Sequence, residues 1–183
     1  ASFLILKGQC RYCRKKISWQ YPLVELAAGF LFAFCYLLSA PWIVYVLVPF
    51  LAVIFVYDLK HFIIPDEIIY PAIALAAVFN FINWPSALVA AGFFLAIVLL
   101  SKGKWMGIGD IKLAFLMGLM LGFPNIIAAL FLAFMTGAIM GMILIFLGKK
   151  TLKSEVPFGP FLVTGTFMAL FFGEKLINWY FSL

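Results

Sequence analysis

An all-α fold that crosses a membrane about seven times is predicted by three features of this sequence. Of its 183 residues, 67% are hydrophobic and only 11% are charged, with a mean hydropathy of +1.17. Soluble domains run nearer to half apolar and a quarter charged. The apolar residues fall in long runs separated by proline and polar punctuation, and the basic residues are confined almost entirely to alternate loops. No soluble core of this size can bury so much apolar surface, whereas a bilayer solvates it. The 22 Phe suit lipid-facing surface, and the 5 Trp and 7 Tyr supply interface anchors.

Seven spans are expected in order, at 22–40, 42–57, 67–83, 85–101, 108–123, 125–147 and 160–180. Pro41 separates the first two. The second is short and contains Pro49, a kink that neighbouring helices or water must satisfy. Pro65 precedes Asp66, which is placed to cap the third. Trp84-Pro85 opens the fourth, and Pro124-Asn125 divides the fifth from the sixth. Gly118-x-x-x-Gly122 and Gly137-x-x-x-Gly141 lie on successive spans, and small residues at that spacing let helices pack closely.

Orientation follows from the cations. With residues 1–21 in the cytoplasm, twelve of the thirteen Lys and Arg fall on the cytoplasmic side and only Lys175 on the other. The net charge of +6 is thus a topology signal. Its spread over four separate loops argues against nucleic-acid binding, and the partner it implies is the lipid bilayer. Residues 1–21 read as a cytoplasmic basic segment with one C-x-x-C (Cys10, Cys13), and residues 22–183 as the transmembrane domain. The chain starts at Ala1, and its first residues are too polar for a signal peptide. That start reads as a cut, with residues missing upstream. Cys35 lies in an apolar run as a packing residue, and no disulfide framework is indicated.

The seven acidic residues are Glu25, Asp58, Asp66, Glu67, Asp110, Glu155 and Glu174. The predicted topology brings all but Glu174 to the cytoplasmic face. Carboxylates at a bilayer edge are costly and mark functional positions. Asp58 ends the second span, where its own helix dipole opposes an anion. Asp110 enters the fifth span behind Gly107 and Gly109, where the dipole favours one. The two glycines permit a tight turn and close backbone approach. If the two carboxylates meet, they titrate as a pair, one activating water and the other polarising a carbonyl. The dipole argument makes Asp58 the protonated partner and Asp110 the ionised base. A single Asp at a helix end is, however, more often a cap or a headgroup contact than a catalyst.

Four stretches then resemble the type IV prepilin peptidases, members of the G-x-G-D class of intramembrane aspartyl proteases. They are Lys7-Gly8-Gln9-Cys10-Arg11-Tyr12-Cys13 with Ile17-Ser18-Trp19 and Tyr21-Pro22-Leu23-Val24-Glu25; Asp58-Leu59-Lys60-His61-Phe62-Ile63-Ile64-Pro65-Asp66; Gly107-Ile108-Gly109-Asp110-Ile111-Lys112; and Val156-Pro157-Phe158-Gly159-Pro160-Phe161. A lone G-x-G-D is weak; four stretches in family order, covering essentially the whole chain, are specific. The resemblance implies that Asp58 and Asp110 are the catalytic aspartates of an aspartic endopeptidase in a bacterial inner (plasma) membrane. It implies substrates that are prepilins and pseudopilins of type IV pili, type II secretion and DNA uptake. Their basic leaders are cut at a Gly junction on the cytoplasmic face, just before an apolar helix. Many bacterial members also methylate the new N-terminus with S-adenosylmethionine. They commonly carry an additional first helix and two C-x-x-C pairs that can hold zinc. Cys10 and Cys13 then supply half of such a site, or stand as two free thiols, since structural zinc takes four ligands.

The supporting residues carry plainer expectations. Lys112, two residues from Asp110, cannot face it on a helix and pairs with headgroups or another acid. Asp66 and Glu67 begin the third span. Glu25 either binds substrate or pairs with a Lys. Pro157 and Gly159 belong to a turn that shapes the entrance to the last span, and His61 is an interface residue. Local opening at Gly107 and Gly109 admits the substrate backbone. The rival reading is a proton-coupled transporter relaying protons through Asp58 and Asp110. Such sites sit near midplane between repeats, and this sequence has neither feature. A second rival, a non-catalytic scaffold docking a partner through its C-x-x-C segment, leaves the paired acids unexplained.

Overall fold

The computed structural model describes residues 6, 8, 9, 13–148 and 156–182. Among the described residues seven α-helices follow one another: α1 Gln20–Leu37, α2 Trp42–His61, α3 Asp66–Phe79, α4 Trp84–Ser101, α5 Ile108–Leu121, α6 Asn125–Phe146 and α7 Gly159–Phe181, with a 3₁₀ turn at Phe81–Asn83. Each predicted apolar run corresponds to one helix. Among the described residues the only β pairing is an isolated bridge between Gln9 and Lys16. Among the described residues four helices, Trp42–His61, Phe81–Ser101 (counted with its 3₁₀ turn), Asn125–Phe146 and Gly159–Tyr180, are long and apolar enough to cross a membrane. The protein is an all-α, multi-pass membrane protein. α3 and α5 have 14 residues each, about 21 Å of helix.

The chain divides into two compact units, Ala1–Pro49 and Phe50–Leu183. The division falls inside α2, immediately after its internal proline, Pro49. In the first unit the Gln9–Lys16 bridge is closed by the Ile17 amide donating to the Gly8 carbonyl at 2.8 Å. Farther along, the Phe32 and Tyr45 rings stack with centroids 6.3 Å apart.

The second unit is organised on α5, which buries Leu113, Ala114, Leu116, Met117 and Leu119 among others. Its close neighbour is α4. A Cβ added to Gly118 would stand 2.3 Å from the Ala87 Cα, so only glycine allows this crossing. α6 and α7 form the other close pair, where a Cβ on Gly165 would stand 2.5 Å from the Ala129 carbonyl oxygen. The two small-residue motifs differ from the expectation of one packed pair. Gly118 meets α4. Gly137 instead receives the rings of Phe158 and Phe161, and Gly141 has nothing within 4 Å.

Candidate active site

Both aspartates continue the buried stripe of their helices. On α2, Leu51 and Ile54 are fully buried, and Asp58 follows on the same face, 5% exposed. On α5, Asp110 begins the face that carries Leu113, Ala114 and Met117, and is 8% exposed. Burying a carboxylate is costly unless it is hydrogen-bonded. Each has one backbone donor. The Gly107 amide donates to Asp110 Oδ2 at 3.1 Å. Gly107 is the N-cap of α5, and because it has no side chain only the return half of a capping box forms. The Gly159 amide donates to Asp58 Oδ2 at 2.9 Å.

That second bond revises the helix-end argument. Gly159 is the first residue of α7. Asp58 ends its own helix but lies at the N-terminus of another, where amides and dipole favour an anion. Asp110 likewise sits at a helix N-terminus. The α7 amide therefore offsets, at Asp58, the unfavourable dipole of its own helix on which the protonated and ionised roles are assigned. The remaining oxygen of each carboxylate has no hydrogen-bond partner among the described residues.

Asp58 and Asp110 line one cavity of about 950 Å³. The cavity gathers the ends of α2 (Asp58, Phe62), α3 (Asp66), α5 (Gly107–Lys112), the segment after α4 (Gly103–Met106) and the approach to α7 (Val156–Phe158). These five ends thus lie at one end of the unit, as alternating spans require.

The neighbouring residues are placed as follows. Gly107 has φ −83° and ψ 159°, ordinary extended backbone. A Cβ there would meet nothing closer than 3.9 Å, so its open side faces the cavity. Gly109 also lines the cavity. A Cβ there would stand 3.0 Å from Ile64 Cβ, because the glycine lets α5 press against the segment before α3. Neither glycine has positive φ, and the Asp110 amide donates to the Gly107 carbonyl at 3.2 Å, so the chain turns into α5 on ordinary backbone. Asp66 is not a cap: Pro65 holds the N-cap position, and Asp66 is the first helical residue. Its carboxylate pairs with Lys112 Nζ, which also lies 4.8 Å from the centroid of the Tyr70 ring. Lys112 thus pairs with another acid. Glu67 is an exposed first-turn acid of α3. Glu25 lies on α1, with no ion pair among the described residues. Pro157 lines the cavity just before Gly159. His61 ends α2 with its ring 4.5 Å from that of Tyr57.

Cys13 is an exposed free thiol, and Cys10 lies outside the described residues. Among the described residues no group of three or more His, Cys, Asp or Glu is placed to hold a metal ion. The Cys10–Cys13 half site thus falls partly outside the described residues.

Phe158 was quoted within a motif but not singled out by the sequence reading. Its ring centroid lies 5.0 Å from Phe134 and 6.2 Å from Phe94 and Phe161. The signal for it was present in Pro157-Phe158-Gly159-Pro160, where two prolines fix the turn around one aromatic residue.

Two buried carboxylates share one cavity, each tied by a backbone amide at helix ends of an apolar bundle, an arrangement of the kind aspartic endopeptidases use. Comparison with known proteins gives the particular family. The profile of the type IV leader peptidase family matches residues 45–142, and that of the bacterial peptidase A24 N-terminal domain matches residues 1–39. The chain is 31% identical over 195 residues to a prepilin leader peptidase/N-methyltransferase of Bacillus subtilis (strain 168), covering 100% of this chain and 78% of the relative. It is 33% identical over 199 residues to one of Aeromonas hydrophila, covering 98% and 67%. A third, of Legionella pneumophila, is 30% identical over 202 residues, covering 98% and 68%. No solved structure matches. The chain belongs to the type IV leader peptidase family.

Proposed function

We propose that the chain removes the leader of type IV prepilins or pseudopilins by aspartyl hydrolysis at a Gly junction on the cytoplasmic face of a bacterial inner membrane. The observation that carries this reading is the pair of buried carboxylates, Asp58 and Asp110, on one cavity at the helix ends. The pair shares one proton. The ionised carboxylate takes a proton from water as its oxygen bonds to the scissile carbonyl carbon. The protonated partner donates to the carbonyl oxygen. Collapse of the tetrahedral species breaks the C–N bond, and a proton passes to the departing amine.

The position of the site suits such a substrate. A cut between a polar leader and an apolar helix lies at headgroup level, where α2 ends and α5 begins. In this reading all seven helices belong to the membrane domain, and the basic loops fix the cavity on the cytoplasmic side. Gly107, with its open face, borders the substrate path. Gly109 and Gly159 hold the two helix ends in place, and the Asp66–Lys112 pair stands at the rim. The N-methyltransferase half of the relatives' names has its own test, transfer of a labelled methyl group from S-adenosylmethionine to the cleaved product.

The deciding experiment is cleavage of a prepilin with a Gly-Phe junction in detergent or liposomes. Wild type should cleave, while Asp58→Asn and Asp110→Asn should fold and fall to the assay floor. Retained cleavage in either variant overturns the dyad.

A further inference from the structure

The Gly159 amide reaches Asp58 only if the first turn of α7 is held in one place. We propose that Phe158 is the residue that holds it, a positioning residue for Asp58, seated in a socket formed by Gly137, Phe134 and Phe94. The proposal rests on the reading of Asp58 as half of the dyad.

Three observations carry it. First, the contact has no slack. The amide nitrogen stands 2.9 Å from Asp58 Oδ2, and a Cβ on Gly159 would stand 2.6 Å from the same atom. Second, this amide is a local necessity. Pro160 has no N–H, and the Phe161 amide is spent on the Phe158 carbonyl at 3.1 Å. Gly159 is therefore the donor that the first two helical positions can offer. Third, the side chain immediately before it is anchored from α4 and α6. The Phe158 ring packs on Phe134 and Phe94. It also lies over Gly137, where an added Cβ would come within 3.3 Å of it. Gly137 lies two turns inside α6 and does not line the cavity. A glycine in the middle of a membrane helix thus sets the position of a carboxylate through one ring and one amide.

Phe158 also lines the cavity, so a direct substrate contact is the competing explanation, and kinetics separate the two. Cleavage of the same prepilin is measured on the full chain in detergent, with thermal unfolding of every variant alongside. Phe158→Ala should lower kcat by about 100-fold with KM within about twofold, the size of effect that a small misplacement of a reacting group produces. Phe158→Leu, which keeps bulk in the socket, should recover part of that loss. Gly137→Ala should lower kcat by about fivefold without touching the cavity. The double variant Gly137→Ala/Phe158→Ala should be no slower than Phe158→Ala, because the added methyl then meets only the Phe161 ring, at an ordinary contact distance of 3.4 Å. Gly141→Ala, one turn on, should leave kcat and KM at wild-type values, since nothing stands within 4 Å of its added Cβ.

Wild-type kcat in Gly137→Ala, or a loss confined to KM in Phe158→Ala, overturns the proposal while leaving the dyad intact. Additive losses in the double variant also overturn it. If Phe158→Ala does not fold, Gly137→Ala alone decides. Cleavage by Asp58→Asn would instead remove the reading on which the proposal stands.

Discussion

Asp58 and Asp110 accept the same kind of bond, a backbone amide at a helix N-terminus, reached over very different lengths of chain. For Asp110 the donor is three residues away. For Asp58 it is 101 residues away. The Asp110 arrangement is complete once the first turn of α5 forms, and it belongs to local helix capping. The Asp58 arrangement exists only when α7 has been brought to the end of α2, and it depends on packing among α4, α6 and α7. One carboxylate of the pair is therefore robust to distant change. The other reports on how the bundle is assembled.

The difference can be broken most sharply at Gly159. Gly159→Ala puts a methyl into Asp58 Oδ2. It should reduce kcat by about 100-fold or more, because the carboxylate must move or lose its donor. A cleavage assay beside a thermal melt checks this, and near-wild-type kcat would show that Asp58 does not need the amide. The local side is probed by Gly109→Ala, which forces α5 off Ile64. It should lower stability by about 1–3 kcal/mol, read as a fall in melting temperature in detergent. Gly107→Ala meets no neighbour, so the melting temperature should hold. If the substrate runs past this face, KM rises instead. The smallest effect is expected from Lys112→Met. It breaks an exposed pair with Asp66 and should change stability by no more than about 1 kcal/mol, and a large loss of stability there would mean that the pair does more than tie two helix ends together.

The same contrast explains what could be read from the sequence. Both aspartates were visible, because each sits at the end of an apolar run and in phase with a buried stripe. The seven helices were visible for the same reason. Asp110's cap needed only local spacing. Asp58's partner could not be found that way, because no periodicity links position 58 to position 159. An argument confined to its own helix dipole therefore leaves out the α7 amide. Asp66 looked like a cap from its place after Pro65, and its real partner, Lys112, lies on another helix. Gly137 read as part of a helix-pairing motif. Its role as a seat for Phe158 depends on tertiary packing, which spacing alone does not encode.

The length of α5 has a consequence for the surrounding lipid. Its 14 residues span about 21 Å against a hydrocarbon layer of about 30 Å. A helix that stops short leaves two options, a locally thinned bilayer or a funnel of water descending to its end. In the proposed reading, with α5 as a span and Asp110 at the site, hydrolysis needs the water and the shortfall would give it a route. It also makes acyl-chain length a variable of the reaction. Thicker bilayers raise the mismatch that this short helix imposes, and thinner ones relieve it.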